Sequence, residues 1–118
     1  MMKLYGIPNC DTVKKARTWL DAHDVDYEFH DYKKQGVDAV VLAKWMTKAG
    51  WESVINRKGQ TWRKLSDAEK AQITDDASAI QLARDKPSVI KRPAFEHKGK
   101  LILGFNETEY QNIFGEKS

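Results

Sequence analysis

The chain has 118 residues, of which 41% are hydrophobic and 31% charged, and its formal net charge at pH 7 is +3. This length and balance are typical of a soluble globular protein and argue against a disordered chain. The basic residues are scattered among acids, which argues against a nucleic-acid-binding surface. No stretch approaches the ~20 apolar residues of a membrane span. We therefore expect a soluble cytoplasmic protein that contacts neither nucleic acid nor membrane directly.

The first third of the chain predicts a β-α-β unit. Lys3–Ile7 has the apolar character of a short buried strand. Thr12–Ala22 carries apolar residues at helical spacing, and Val25–Asp31 alternates between apolar and polar residues as a strand does. A strand, a helix and a second strand in this order usually form a parallel strand pair.

The middle of the chain, about 37–86, predicts a helical insert. One helix is expected over Val37–Ala49, with Gly50 as its stop. A capping-box sequence that begins at Ser66 starts a second helix. Ser78–Lys86 is expected to form a third, which ends before Pro87.

The last part of the chain predicts a hairpin and a final helix. Val89–Glu96 and Lys100–Leu103 have strand character, and Lys98-Gly99 is expected to join them in a tight turn. A second capping-box sequence at Asn106 starts a helix that runs through Phe114. The whole order is β-α-β, helical insert, β-β-α. It predicts an α/β protein with a thioredoxin-like mixed sheet, in one domain over residues 1–118.

The chain contains a single cysteine, Cys10, and this limits its chemistry. One cysteine excludes an intramolecular disulfide and a zinc site built from several cysteines. The three histidines lack the spacing of metal ligands, so we predict no metal site. Any disulfide chemistry of Cys10 must use a thiol from another molecule.

The position of Cys10 favours reactivity. It follows the first strand and opens the first helix, where unpaired amides and the helix dipole stabilise a thiolate. A helix terminus contributes only ~0.3–1 kcal/mol, and Asp11 acts against it, so another cation is expected nearby. Lys14, one turn on, is a candidate. So is Arg92, which precedes Pro93 in a peptide bond that is a candidate for the cis form.

Four segments resemble those of the arsenate reductase/Spx family, in the family's order. They are Leu4–Ala16, Ile55–Arg57, Lys91–Pro93 and Gly104–Glu107, and the resemblance extends over nearly the whole chain. It implies a thioredoxin-like domain with a helical insert. It also implies that Cys10 is the nucleophile that attacks arsenate or forms a mixed disulfide.

The resemblance also implies roles for other residues. Arg57 and Arg92 match two arginines that surround the anion and stabilise the thiolate, and Pro93 matches the cis-proline that faces the cysteine. Two positions depart from the family. Gly104 stands where glutathione-coupled arsenate reductases have a third arginine. Val13 stands where Spx regulators often have the second cysteine of a C-x-x-C motif. The chain is most similar to the uncharacterised arsenate-reductase-like proteins that are linked to glutathione-dependent thiol reduction.

Three functions remain open on this basis. The first is a glutathione-dependent thiol reductase without a bound cofactor, in which Cys10 and Arg92 are catalytic. Arg57, Arg92, Pro93 and Lys14 would bind the substrate, and glutathione or a glutaredoxin would resolve the mixed disulfide. The second is an arsenate reductase coupled to glutathione and glutaredoxin. The third is a non-catalytic regulator that binds RNA polymerase, as Spx does.

Overall fold

The computed structural model describes residues 2–114, which fall into two compact units. The first unit combines the residues up to Asp31 with those from Arg92 onward, and the second is Tyr32–Lys91. The second unit contains the whole of the insert predicted at 37–86. The prediction of one domain over residues 1–118 stays a prediction.

The first unit contains a four-stranded mixed sheet. Its strands are β1 (Lys3–Gly6), β2 (Glu28–Asp31), β3 (Ala94–His97) and β4 (Lys100–Leu103), in the order β2-β1-β3-β4. β1 is parallel to β2 and antiparallel to β3, which is in turn antiparallel to β4. This is the mixed sheet that the order of predicted elements requires.

The described residues form eight α-helices. They are α1 (Asp11–Ala22), α2 (Tyr32–Gln35), α3 (Ala39–Ala49), α4 (Trp51–Val54), α5 (Gln60–Arg63), α6 (Asp67–Ala71), α7 (Asp76–Asp85) and α8 (Glu107–Phe114). The first unit holds α1 and α8, and the second holds the others. Among the described residues, no helix has both the length and the apolar character that crossing a membrane demands.

The sheet, α1 and α8 share the core of the first unit. Its buried members are Leu4, Ala16, Trp19, Leu20, Phe95, Ile102, Tyr110 and Phe114. The ring of Trp19 on α1 meets that of Tyr110 on α8 edge-on, with 5.5 Å between the centroids. Each large apolar side chain buried in this way contributes roughly 1.5–3 kcal/mol. The first and the last predicted helices, α1 and α8, are therefore both present. The apolar residues predicted at helical spacing on α1 are the ones that α1 buries.

The second unit confirms all three of the predicted helices, as α3, α6 and α7, and two of the predicted signals. α3 buries Leu42, Trp45 and Met46 and ends at Gly50, whose φ is +85°. The capping box that begins at Ser66 is formed at the start of α6, where the serine side chain and Glu69 exchange hydrogen bonds with backbone amides.

The predicted hairpin is also confirmed. Lys98 and Gly99 have φ values of +49° and +79°, which a two-residue turn between antiparallel strands requires. Asn106 caps α8, since its side-chain oxygen accepts a hydrogen bond of 3.0 Å from the amide of Glu109.

Three strands are shorter than predicted, and the first of them, β1, ends one residue early at Gly6. β2 pairs only from Glu28, although Val25 and Tyr27 pack against the core, because the alternating pattern reports burial and not strand pairing. β3 starts at Ala94, because a single 3-10 turn occupies Pro87–Val89.

Some helix boundaries also differ from the prediction. α7 begins at Asp76 and not at Ser78, because Asp75 is the N-cap and Ser78 closes its capping box. α3 begins two residues later than predicted, since Asp38 caps it by accepting a hydrogen bond of 2.9 Å from the amide of Val40. The helices α2, α4 and α5 were not predicted, because four residues are too few to display a period of 3.6.

Candidate active site

A tight turn after β1 places Cys10 at the start of α1. The amide of Cys10 donates a hydrogen bond of 3.1 Å to the carbonyl of Ile7, which closes a four-residue turn over Pro8 and Asn9. Proline at the second position of such a turn has the required φ already fixed. Cys10 is then the N-cap residue of α1, and its carbonyl accepts the first helical hydrogen bond, of 2.9 Å, from Lys14.

The amides of the first turn of α1 are open to an anion near Cys10. Within the described residues, no side chain caps this helix, and the Cys10 side chain itself makes no cap hydrogen bond. Cys10 is half-buried, and Asp11 beside it is exposed. Unpaired amides and the positive end of the helix dipole stabilise a thiolate or an incoming carboxylate or oxyanion.

Gly6 lets α1 approach β1 closely. A Cβ atom at position 6 would lie 2.7 Å from Cγ2 of Val13, a distance that real Cβ contacts do not show. Val13 is fully buried in the first turn of α1. The contact therefore fixes the helix start, and Cys10 with it, against the end of β1. No role was predicted for Gly6, although a glycine that ends an otherwise apolar strand is a signal of close backbone approach.

The register of the sheet brings Pro93 to the same end of the sheet as Cys10. Tyr5 pairs with Ala94 in the antiparallel register. The end of β1 that leads to Cys10 therefore lies beside the start of β3, which Pro93 precedes. We call this end, where Gly6, Pro93 and Gly104 lie, the cysteine end of the sheet. Gly104 belongs to it because its amide donates a hydrogen bond of 2.8 Å to the carbonyl of Pro93.

The peptide bond between Arg92 and Pro93 is cis, as the sequence analysis considered. Pro93 is buried and Arg92 is half-buried. The buried ring thus lies at the cysteine end of the sheet, with the arginine directly before it in the chain.

Gly104 has a backbone conformation that explains why no arginine stands there. Its φ is +78°, a value that costs an L-residue roughly 1–2 kcal/mol. Its amide also holds the Pro93 carbonyl. The departure from the arginine pattern is therefore built into the backbone at this point.

Arg57 belongs to the second unit and has partners there. It lies between α4 and α5, and its Nη2 is 3.6 Å from Oε2 of Glu52. Its guanidinium carbon lies 5.8 Å from the ring centroid of Trp51. Its role toward Cys10 stays a prediction.

Lys14 is exposed on the first turn of α1 and lines a shallow groove of about 390 Å³. The groove residues are Lys14, Lys15, Thr18, Trp19, Phe105 and Glu107. The sequence analysis did not predict this groove, because its two sides come from segments about 90 residues apart in the chain. As for metals, the described residues contain no group of three His, Cys, Asp or Glu side chains that could hold an ion.

The features described above lie within a segment of the chain that matches a family model. The model of the ArsC family matches residues 5–113. The chain belongs to the ArsC family. The match includes Cys10, Arg57, Arg92 and Pro93, and it confirms the resemblance on which their predicted roles depend.

Two curated relatives match nearly the whole chain. An uncharacterised protein of Haemophilus influenzae is 41% identical over 114 residues, covering 97% of this chain and 99% of its own. The global transcriptional regulator Spx of Streptococcus pyogenes is 31% identical over 112 residues, covering 92% of this chain and 81% of its own.

Two solved structures have the same fold. The YffB protein is 49% identical and superposes with a TM-score of 0.92, over 97% of this chain and 99% of its own. An arsenate reductase related protein from Brucella melitensis is 47% identical, with a TM-score of 0.75 over 96% and 93% of the two chains. The predicted α/β, thioredoxin-like fold class is thereby confirmed.

Proposed function

We propose that the protein is a thiol oxidoreductase that uses glutathione as its reductant and Cys10 as its nucleophile. The observation that carries the proposal is the position of Cys10, half-buried at the N-cap of α1 beside open first-turn amides. A thiolate is the attacking species in disulfide exchange, and this position stabilises one. Membership of the ArsC family supports a thiol-redox role at the same residue.

The reaction proceeds by two thiol–disulfide exchanges. The Cys10 thiolate attacks the glutathione sulfur of a glutathionylated substrate, forming a Cys10–glutathione disulfide and releasing the substrate as a thiolate, which takes a proton from water. A second glutathione thiolate then attacks this mixed disulfide, which regenerates the Cys10 thiolate and releases glutathione disulfide. In sum, one reduced glutathione and the glutathionylated substrate become the substrate thiol and glutathione disulfide, and the protein needs no second cysteine.

Arg92 and the other predicted residues hold the anions of this reaction. In this proposal Arg57 and Arg92 would bind a glutathione carboxylate and stabilise the thiolate, and Lys14 would bind the substrate. A guanidinium fork suits a carboxylate, since it donates two parallel hydrogen bonds. Pro93 forms the wall against which the substrate disulfide lies. The reducing cytoplasm, where glutathione is abundant, is the compartment we propose, and a glutaredoxin is the alternative resolving partner.

The decisive experiment compares wild type with Cys10→Ser in the reduction of a glutathionylated peptide. Glutathione, glutathione reductase and NADPH are present, and NADPH oxidation is measured. Wild type should exceed the uncatalysed rate, and Cys10→Ser should equal it. Intact mass after incubation with glutathione disulfide should show one glutathione on each wild-type chain and none on the variant. A Cys10→Ser protein that retains the activity, or a wild type that shows none, would contradict the proposal.

An arginine pair tests the assignment of Arg92 in the same assay. Arg92→Ala should slow turnover roughly tenfold or more, because a hydrogen bond to a charged group contributes about 1.5–3 kcal/mol. Arg84→Ala, which removes an exposed arginine of α7, is the matched control and should leave the rate unchanged.

Arsenate reduction is a second candidate, favoured by the family and by the Brucella relative. Its mechanism would place arsenate on Cys10, with glutathione and a glutaredoxin as reductants. The glycine at position 104 reduces the positive charge available to an arsenate oxyanion. Arsenate-dependent NADPH oxidation in the same coupled assay, with glutaredoxin added, distinguishes the two activities.

A regulator that binds RNA polymerase is a third candidate, favoured by the similarity to Spx. Such a protein would bind its partner without turnover at Cys10. Stoichiometric capture of purified RNA polymerase, equal for wild type and Cys10→Ser, would favour this function over catalysis.

A further inference from the structure

The groove between α1 and the start of α8 lies within reach of Cys10. Lys14, on one side of it, is four residues after Cys10 on α1, about 6 Å farther along the helix axis at 1.5 Å per residue. Phe105, on the other side, directly follows Gly104, whose amide holds the Pro93 carbonyl. Both sides of the groove therefore start beside the cysteine end of the sheet.

The shape of the groove suits an extended peptide segment better than a small molecule. Small ligands bind in concave sites that cover most of their surface. This groove is a shallow depression of about 390 Å³ on the protein surface, and it would leave a small thiol largely in solvent. A peptide whose cysteine is bonded to the glutathione sulfur that Cys10 attacks is held close during the exchange, so modest further contacts are enough to select it.

The chemistry of the groove indicates the composition of that segment. Phe105 is half-buried and offers ring surface, and it is held edge-on against Tyr110 with 4.8 Å between their centroids, while the largely buried Trp19 forms the floor beside it. Lys14 and Lys15 are both exposed on the α1 side, and Glu107 is exposed on the α8 side. The two ammonium groups outnumber the one carboxylate, so the groove complements an apolar residue accompanied by acidic ones.

We propose that this groove binds the segment next to the cysteine of a protein substrate, and that it prefers segments that combine an aromatic residue with acidic residues. The inference rests on the proposed thiol oxidoreductase function. It goes beyond that function because it assigns substrate selection to Lys15, Phe105 and Glu107, which do not take part in the exchange.

The test measures disulfide exchange between Cys10 and synthetic peptides. Three peptides share a cysteine and a phenylalanine and differ only in the two residues that follow, which are glutamates, glutamines or lysines. Each carries thionitrobenzoate on its cysteine. The Cys10 thiolate attacks the peptide sulfur, forms a Cys10–peptide disulfide and releases coloured thionitrobenzoate. Because the chain has one cysteine, the signal reports Cys10 alone, and Cys10→Ser gives the background.

Wild type should react fastest with the acidic peptide and slowest with the basic one. Lys15→Glu should reduce the ratio of these two rates by about two- to fivefold, the range that exposed charge pairs support. Glu107→Gln should raise the ratio, and replacing phenylalanine by glycine in the acidic peptide should slow its reaction. High salt should remove the differences among the three peptides that vary in charge.

Lys100→Glu is the matched control, because it makes the same charge change at an exposed residue of β4 outside the groove. If the ratio of the acidic-peptide rate to the basic-peptide rate were equal in Lys15→Glu and Lys100→Glu, the proposed role of the groove would be overturned. The preference would then come only from the net charge of the protein. The proposal would also be overturned if Lys15→Glu reacted more slowly with glutathione disulfide but reacted with all the peptides at the wild-type rates. Alkylation of Cys10 by an uncharged reagent should be the same in all these variants, so a failure of the proposed function appears separately, as an unreactive Cys10.

Discussion

Gly6 and Val13 are in contact where β1 ends and α1 begins, and the contact leaves no room for a larger residue at position 6. Cys10 lies between these two elements in the chain, so its position depends on residues that carry no reactive group. The open amides at the start of α1 stabilise a Cys10 thiolate only while the helix start stays in place.

Gly6→Ala should destabilise the protein and slow the alkylation of Cys10. The new methyl group would lie 2.7 Å from Val13 Cγ2, and overpacking a close-packed interior costs about 1–3 kcal/mol. The free energy of unfolding from chemical denaturation, together with the alkylation rate at pH 7, measures the two effects.

A double-mutant cycle with Val13→Ala serves as the control. If the clash is the cause, the double variant should be more stable than the sum of the single changes by at least about 0.5 kcal/mol, as residues in contact commonly show. Strictly additive changes would refute the clash.

At the scale of elements, local signals predicted the parts of the fold that local interactions determine. The stripe on α1, the capping box at Ser66 and the turn at Lys98-Gly99 each depend on residues a few positions apart, and each is present. The segment before β3 depends on distant contacts instead. Ile90 pairs with Ile55 across the second unit, and no periodicity of the segment encodes this bridge.

The same distinction applies to the candidate site. Cys10 at the helix start and the cis bond before Pro93 are properties of short segments, and both could be predicted. The hydrogen bond between Gly104 and Pro93 and the groove beside Phe105 join segments that only the sheet and helix packing bring together. Sequence patterns carry no direct signal for either.

The β3–β4 pair makes a prediction about the missing arginine. Gly104→Arg should destabilise the protein by about 1–2 kcal/mol, because a φ of +78° disfavours an L side chain. It should not create arsenate reduction, since relief of this strain would displace the amide that holds Pro93. Denaturation and the arsenate-dependent coupled assay measure the two outcomes.

Gly99→Arg provides the comparison for this change. Its φ is +79° in the hairpin turn, at the opposite end of β4 from Gly104, so its loss of stability should be similar. A Gly104→Arg protein that is as stable as wild type, or that gains arsenate reduction while Gly99→Arg does not, would show that the glycine is not required by the backbone.

At the scale of the whole molecule, two tyrosines of the first unit link stability to high pH. Burial raises the pKa of Tyr110 well above its usual value near 10, and the adjacent Glu109 adds to the effect. Burial also raises the pKa of Tyr5, whose hydroxyl donates a hydrogen bond of 3.2 Å to Oε1 of the negatively charged Glu96. Within the described residues, the buried hydroxyl of Tyr110 has no hydrogen-bond partner.

Tyr110→Phe should therefore change stability in a pH-dependent way. Below pH ~10 both tyrosines are protonated in the folded and unfolded states, so they add no pH dependence. Above pH ~10 the unfolded chain loses these protons and the folded one keeps them, so stability falls by up to about 1.4 kcal/mol per pH unit for each tyrosine. The stability of Tyr110→Phe should fall less steeply with pH than that of wild type, by the contribution of one tyrosine. At pH 7 it should gain about 1 kcal/mol, because it no longer buries an unpaired hydroxyl.

Urea denaturation at pH 7 and at several values above pH 10 measures both effects, and the difference between the proteins cancels the titration of the lysines. Tyr27→Phe is the matched control at pH 7, since the Tyr27 hydroxyl accepts a hydrogen bond of 3.2 Å from Nε of Arg17 and its removal should lower stability. Parallel curves for wild type and Tyr110→Phe above pH 10 would mean that Tyr110 ionises in the folded protein as readily as in the unfolded chain. A loss at pH 7 as large as that of Tyr27→Phe would mean that the Tyr110 hydroxyl has a partner, because only a paired hydroxyl stabilises the fold when it is present.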